Sequence, residues 1–108
     1  MQNPEALREK IKKDLEKQLE AKGNTGQYYL DLVSDYMRLW DIKNQLFDDI
    51  RDRGVVTNWN NGGGQKGTKQ NDSVFSVLKV SDRMTRILND LGIKPSTEAL
   101  PDDDEIDL

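Results

Sequence analysis

The stretch from about Gln27 to Arg53 carries the pattern that most limits the fold. Tyr29, Leu32, Tyr36, Leu39, Leu46 and Ile50 recur at alternating three- and four-residue steps, broken only at Lys43. That period places them on one face of an α-helix. Val33, Trp40 and Phe47 lie beside them and widen the face. At ~1.5 Å per residue the helix spans about 40 Å. Asn24 and Gln27 have capping-box spacing at its start, and Gly54 stops it. One partner helix from the same chain leaves part of so wide a face uncovered. The pattern therefore predicts a homo-oligomer larger than a dimer.

Two more helical segments flank this one. The first runs from about Pro4 to Lys22, with Asn3 as N-cap, Pro4 at the first helical position and Gly23 as the stop. Its stripe of Leu7, Ile11, Leu15 and Leu19 is one residue wide and predicts peripheral packing. The rest of it is charged, and Glu9–Lys13, Lys10–Asp14 and Lys12–Glu16 are spaced to pair. The other segment runs from about Asp72 to Leu91. Asn71, Asp72 or Ser73 can cap it, and Gly92 and Pro95 end it. Its apolar face is Val74, Val77, Leu78, Met84, Leu88 and Leu91.

Residues 54–70 join the second and third helices. Val55, Thr57 and Trp59 alternate like a short strand, and Asn61-Gly62 is a hairpin-turn signal. The return arm, Gly63 to Thr68, has poor strand propensity. A mobile loop with at most a stub of hairpin is expected. The fold class is thus all-α: a long antiparallel helix pair, a shorter N-terminal helix, a Gly-rich loop and an acidic C-terminal tail. Residues 1–95 are expected to form one helical domain, and residues 96–108 the tail. Core or interface positions are Leu32, Tyr36, Leu39, Trp40, Leu46, Phe47, Ile50, Val74, Leu78, Met84 and Leu88.

Charge is unevenly distributed. The chain carries −4 in all, but residues 96–108 hold six acids and no Lys or Arg, so the tail carries −6 and residues 1–95 carry +2. The folded part therefore presents more positive charge to a polyanion than the whole-chain balance indicates. Hydrophobic residues make up 34% of the 108 and charged residues 33%, which favours burial of further surface against copies of the chain. Nothing approaches the roughly 20 apolar residues of a membrane span. The N-terminus has no apolar signal core, so a soluble, unexported protein with no membrane partner is expected.

The chain has no cysteine and no histidine. Disulfides, thiolate metal sites, cysteine nucleophiles and the commonest neutral-pH general base are thereby excluded. Gly62-Gly63-Gly64-Gln65-Lys66-Gly67-Thr68 has the wrong order for a phosphate loop, which needs Gly-Lys-[Ser/Thr] opening a helix. Asp48 and Asp49 are adjacent on a helix and point apart. Asp102-Asp103-Asp104-Glu105 lacks the glycine and spacing of a calcium loop. No catalytic residue, metal site or cofactor is expected.

Candidate DNA contacts are phosphate contacts. Lys66 and Lys69 sit in the loop, where they can reach phosphates without reading bases. Lys79 and Arg83 lie four apart on the third helix with no acid four residues away, unlike Arg86 between Asp82 and Asp90. Arg8, Lys12 and Lys13 form a possible basic edge, although neighbouring acids favour a paired surface helix. Trp59 can stack on a base, plug a neighbouring subunit or pack on its own helices.

Three blocks resemble a known family. The run from Tyr29 to Asp41 is similar to the central helix of small terminase subunits from phages of Gram-positive bacteria. Asn60-Asn61-Gly62-Gly63-Gly64-Gln65 and then Asn71-Asp72-Ser73-Val74 resemble that family's glycine-rich loop and following helix start. Leu91-Gly92-Ile93-Lys94-Pro95-Ser96 resembles its closing motif. The blocks keep the family's order and spacing across residues 28–96. The resemblance implies a non-catalytic subunit that recognises duplex viral DNA and assembles into a homo-oligomeric ring. It further implies regulation of a separate large subunit bearing the ATPase and nuclease, in the cytoplasm of the infected bacterial host. A helical nucleic-acid-binding regulator unrelated to packaging, and a coiled-coil adaptor that never touches DNA, are the alternatives that the residues alone leave open.

Overall fold

A computed structural model describes residues 3–94. The acidic tail anticipated at residues 96–108 lies outside them. The order is α1 (Pro4–Ala21), α2 (Gln27–Arg53), β1 (Val56–Gly62), β2 (Gln65–Gln70) and α3 (Asp72–Leu91). The fold is mostly helical but not all-α, because the segment expected to be a loop forms a two-stranded antiparallel sheet.

The helix ends follow from local chemistry. Asn3 Oδ1 accepts a hydrogen bond from the Ala6 N–H at 2.7 Å, satisfying one orphan donor of α1. Asn71 does the same for Ser73 at 2.9 Å at the start of α3. Gly92, at φ 73°, closes α3 in the left-handed conformation. The capping box read at Asn24–Gln27 does not form. Gly26 is the N-cap of α2, and no side chain bonds there.

α1 is not peripheral. Leu15 and Leu19 are buried with Val33, Met37 and Trp40 of α2, and with Met84, Ile87 and Leu91 of α3 and the following Ile93. A stripe one residue wide suffices because it enters the seam between two other helices. Arg8 Nε and Nη2 donate to the two carboxylate oxygens of Asp41 at 2.8 and 3.0 Å, so the start of α1 lies beside the middle of α2. The two helices therefore run antiparallel. The Lys22 ammonium bonds the Gly92 carbonyl and ties the end of α1 to the end of α3.

This arrangement explains the wide face of α2. Val33, Met37 and Trp40 are its buried row, while Leu32, Tyr36 and Leu39 are partly buried against the same core. Met37 and Ile87, absent from the expected core, belong to it. Much of the extra width meets α1 of the same chain rather than a second copy. Burial also pushes the Tyr36 hydroxyl above its ordinary titration range. Past Asp41, beside the start of α1, α2 is less covered: Ile42 is exposed and Phe47 is 50% exposed. On α3, Val74 is half-buried, and Leu78 is 63% exposed, outside the monomer core.

Leu19, 1% exposed, tests whether α1 is part of the core. Leu19→Ala should lower unfolding stability by about 2–5 kcal/mol, the range for a large-to-small change in a packed interior. Urea denaturation followed by circular dichroism reads this. A loss below about 1 kcal/mol would return α1 to the periphery.

Candidate nucleic-acid interface

The hairpin is built from residues with weak strand preference. Register pairs Val56 with Gln70, Thr57 with Lys69, Asn58 with Thr68, Trp59 with Gly67 and Asn60 with Lys66. The turn is Gly63-Gly64 rather than the expected Asn61-Gly62. Both turn glycines have positive φ, 59° and 85°, as a tight two-residue hairpin turn requires. Asn61 falls in an irregularity between Asn60 and Gly62, where Asn60 Oδ1 accepts from the Gly62 N–H at 2.7 Å.

Trp59 lies across its partner strand. A Cβ added at Gly67 would come within 2.9 Å of the indole Cζ2. The ring covers a bare glycine backbone, so the strand that propensity disfavours gains apolar contact. Trp59 packs on its own hairpin and stays 36% exposed.

A hydrogen-bonded knot fixes the hairpin root. Asp49 accepts from Arg53 Nε and Nη2, both at 2.7 Å, from Ser73 Oγ at 2.7 Å and from Asn71 Nδ2 at 3.1 Å. Asn71, wholly buried, also donates to the Gly54 carbonyl at 3.0 Å and accepts from Arg53 at 3.0 Å. Its backbone N–H reaches the Val55 carbonyl at 2.6 Å. These bonds hold the Asp49 carboxyl far below the usual carboxylate range, with the Arg53 bonds as the largest cause, then Ser73 and Asn71. Sequence reading found Asn71 as a cap but missed the knot; no local spacing connects Asp49 to residues 71 and 73.

The basic candidates fall into three places. Lys66 and Lys69 are exposed on β2, but three residues apart on a strand puts them on opposite faces. Lys69 lies 3.6 Å from Asp72. Lys79 and Arg83 are exposed on the outer side of α3, while Arg86 lies 3.7 Å from Asp82. On α1, Lys13 is exposed and Lys12 partly so. The Arg8 guanidinium is committed to Asp41, whose hydrogen bonds raise its affinity for the proton. None of the pairs expected within α1 occurs among the ion pairs of the described residues.

A cleft of about 600 Å³ opens between α2 and α3, with Leu32, Leu39 and Ile87 as its apolar surface and Arg38, Arg83 and Arg86 among its polar lining. Among the described residues no cluster of carboxylates or other ligands suits a metal ion. No described helix is long and apolar enough to cross a membrane.

The family model described as phage terminase, small subunit, aligns with residues 10–100. No curated protein and no solved structure matches the chain.

The knot makes a pH prediction. The Asp49 carboxyl is depressed from 3.8 in the folded state. Its contribution to stability is therefore fully present above that unfolded value and is lost as pH falls toward the folded one. Asp49→Asn should be less stable than the parent at pH 7, and the gap should narrow below about pH 4. Thermal unfolding across pH 2–7 checks it, and a pH-independent gap would show that the charge is not the cause.

Proposed function

The chain belongs to the phage terminase small-subunit family, and on that premise we propose that it recognises viral DNA and recruits or regulates the large packaging subunit. Membership places it in phage DNA packaging; the finer roles are our reading. The family match across residues 10–100 carries the proposal, and the exposed lysines of a rooted hairpin support it. The chemistry of nucleotide and DNA cleavage is assigned to the large subunit, and this chain acts without a cofactor in the cytoplasm of the infected host. Residues 1–95 are the working domain and residues 96–108 an acidic appendage.

DNA contact is assigned to Lys66, Lys69, Lys79 and Arg83, with Lys12 and Lys13 as a secondary edge. Arg8 contributes only if it gives up Asp41. Flexible lysines on both faces of a two-stranded arm suit phosphates on either side of it, and the partly exposed Trp59 offers a stacking surface. Binding should be dominated by counterion release. Log affinity plotted against log salt should have a negative slope, and each phosphate contact removed by Lys66→Ala, Lys79→Ala or Arg83→Ala should flatten it by about 0.9. Fluorescence anisotropy with a packaging-site duplex at several salt concentrations measures this. Absence of binding at low salt would favour an adaptor that never touches DNA.

Self-assembly is assigned to the part of the helix pair that α1 leaves bare. Phe47, Phe75 and Leu78 are each at least half exposed there. Large apolar side chains left in water favour association. Light scattering coupled to size exclusion should give a species larger than a dimer, and Phe47→Ser with Leu78→Ser should reduce its mass. A monomer at micromolar concentration would overturn the oligomeric reading.

A further inference from the structure

The cleft between α2 and α3 and the acidic segment that follows α3 have complementary chemistry. The cleft combines the apolar surface of Leu32, Leu39 and Ile87 with Arg38, Arg83 and Arg86. None of the ion pairs among the described residues engages Arg38 or Arg83. Asp35 and Asp90 also line it, so its net charge is only +1. A phosphate backbone, which has no apolar part, fits such a surface poorly. A ligand that pairs carboxylates with aliphatic anchors fits it well. The segment Ala99-Leu100-Pro101-Asp102-Asp103-Asp104-Glu105-Ile106-Asp107-Leu108 has that composition.

We propose that the α2–α3 cleft is a docking site for the C-terminal segment of the same chain, with Leu100 on the apolar surface and the Asp102–Glu105 run against Arg38, Arg83 and Arg86. Reach decides in favour of the chain's own segment. The described residues end at Lys94, while Asn89 and Asp90 already line the cleft. Leu100 lies six residues beyond Lys94, a span of up to ~20 Å. Arg83 lies about 14 Å back along the helix axis from Gly92. Leu100 can thus enter the cleft, and the acids after it can meet the arginines. Tethering gives the segment a local concentration on the order of millimolar, so a weak site is enough. Proline at position 101 limits the conformations lost on docking. A seated segment also occupies Arg83, so under the DNA reading above it would weaken DNA binding, but docking itself does not rest on that reading.

The cysteine-free chain permits a direct test without DNA. Ala99→Cys keeps Leu100 in place. It is combined in the full chain with Asp35→Cys, across the cleft on α2, or with Thr85→Cys, exposed on α3 but outside the cleft lining. Within-chain disulfide formation should be about ten-fold faster or more for the Asp35→Cys pair, as expected of a tethered, seated segment. Changing Asp102, Asp103 and Asp104 to Asn and Glu105 to Gln should slow that pair to the rate of the Thr85→Cys control. Leu100→Ser should do so as well. Equal rates for the two pairs would overturn the proposal, and disulfides formed between chains in place of within-chain ones would overturn docking in the same chain. Circular dichroism of each reduced variant should match the parent, confirming that rates are compared between folded proteins.

Discussion

One carboxylate organises the junction on which the rest of the molecule depends. Asp49 sits one turn before the end of α2 and gathers Arg53 from its own helix and Asn71 and Ser73 from the start of α3. These partners are separated by a whole hairpin in sequence, so their meeting sets the register of the α2–α3 pair. Asn71 closes the arrangement because each of its polar groups has a separate task. Its side-chain oxygen caps α3 and accepts from Arg53; its amide reaches Asp49 and Gly54; its backbone N–H reaches Val55. A buried asparagine with any of these bonds missing would incur an uncompensated desolvation penalty. No apolar residue can replace it without leaving several groups unpaired.

The knot also accounts for a hairpin that its own residues do not favour. An isolated two-stranded hairpin is marginal in water. Here the chain enters and leaves the arm through fixed points, because Val55 and Asn71 are bonded to each other at the base. Closing the ends removes much of the entropy cost of pairing the strands. The Trp59 ring over Gly67 then supplies the local apolar contact. Strand propensity alone could not anticipate this, since Gln65, Lys66 and Gly67 are poor strand formers. The pairing is dictated by anchors outside the strands. Once β2 is known, period-two alternation shows that Lys66 and Lys69 face opposite ways, a separation invisible while the segment is read as a loop.

The helices were readable because their signals are local. Pro4 after Asn3, Gly54 after Arg53 and Gly92 after Leu91 mark ends within one turn, and the three- and four-residue spacing marks the faces. Which row of a wide face is buried is a different kind of question. On α2 the Leu32–Leu39 row and the Val33–Trp40 row are both apolar, and only the positions of α1 and α3 decide between them. Met37 and Ile87 are both buried in the core that the three helices share. The narrow stripe of α1 misled for the same reason: a single row is enough when it enters a groove made by two helices. The candidate residues could be named from the sequence but not arranged, because the knot that roots the hairpin bearing Lys66 and Lys69 joins residues far apart in the chain.

The distribution of cover along α2 bears on the assembly proposed above. α1 runs back from the Lys22–Gly92 contact to Arg8 beside Asp41, and among the described residues no third helix covers the half of α2 beyond that point. That half carries Phe47 and leads into the knot and the arm. Apolar exposure and the basic arm therefore occur at the same end of the helix pair, while the arginine-lined cleft opens beside the opposite half of α2. Separation of this kind lets one end associate with copies of the chain while the cleft stays open to a different ligand. Arg83 lies where the two proposed surfaces meet, since it lines the cleft yet lies four residues from Lys79 on the outer face of α3. A carboxylate ligand in the cleft would hold Arg83 through short-range, partly desolvated attraction. A polyanion outside would compete through a longer-range field that salt screens within about 10 Å. Raising the salt concentration thus weakens the outer competitor more than the inner one, because the apolar contacts that help hold a ligand in the cleft do not depend on charge.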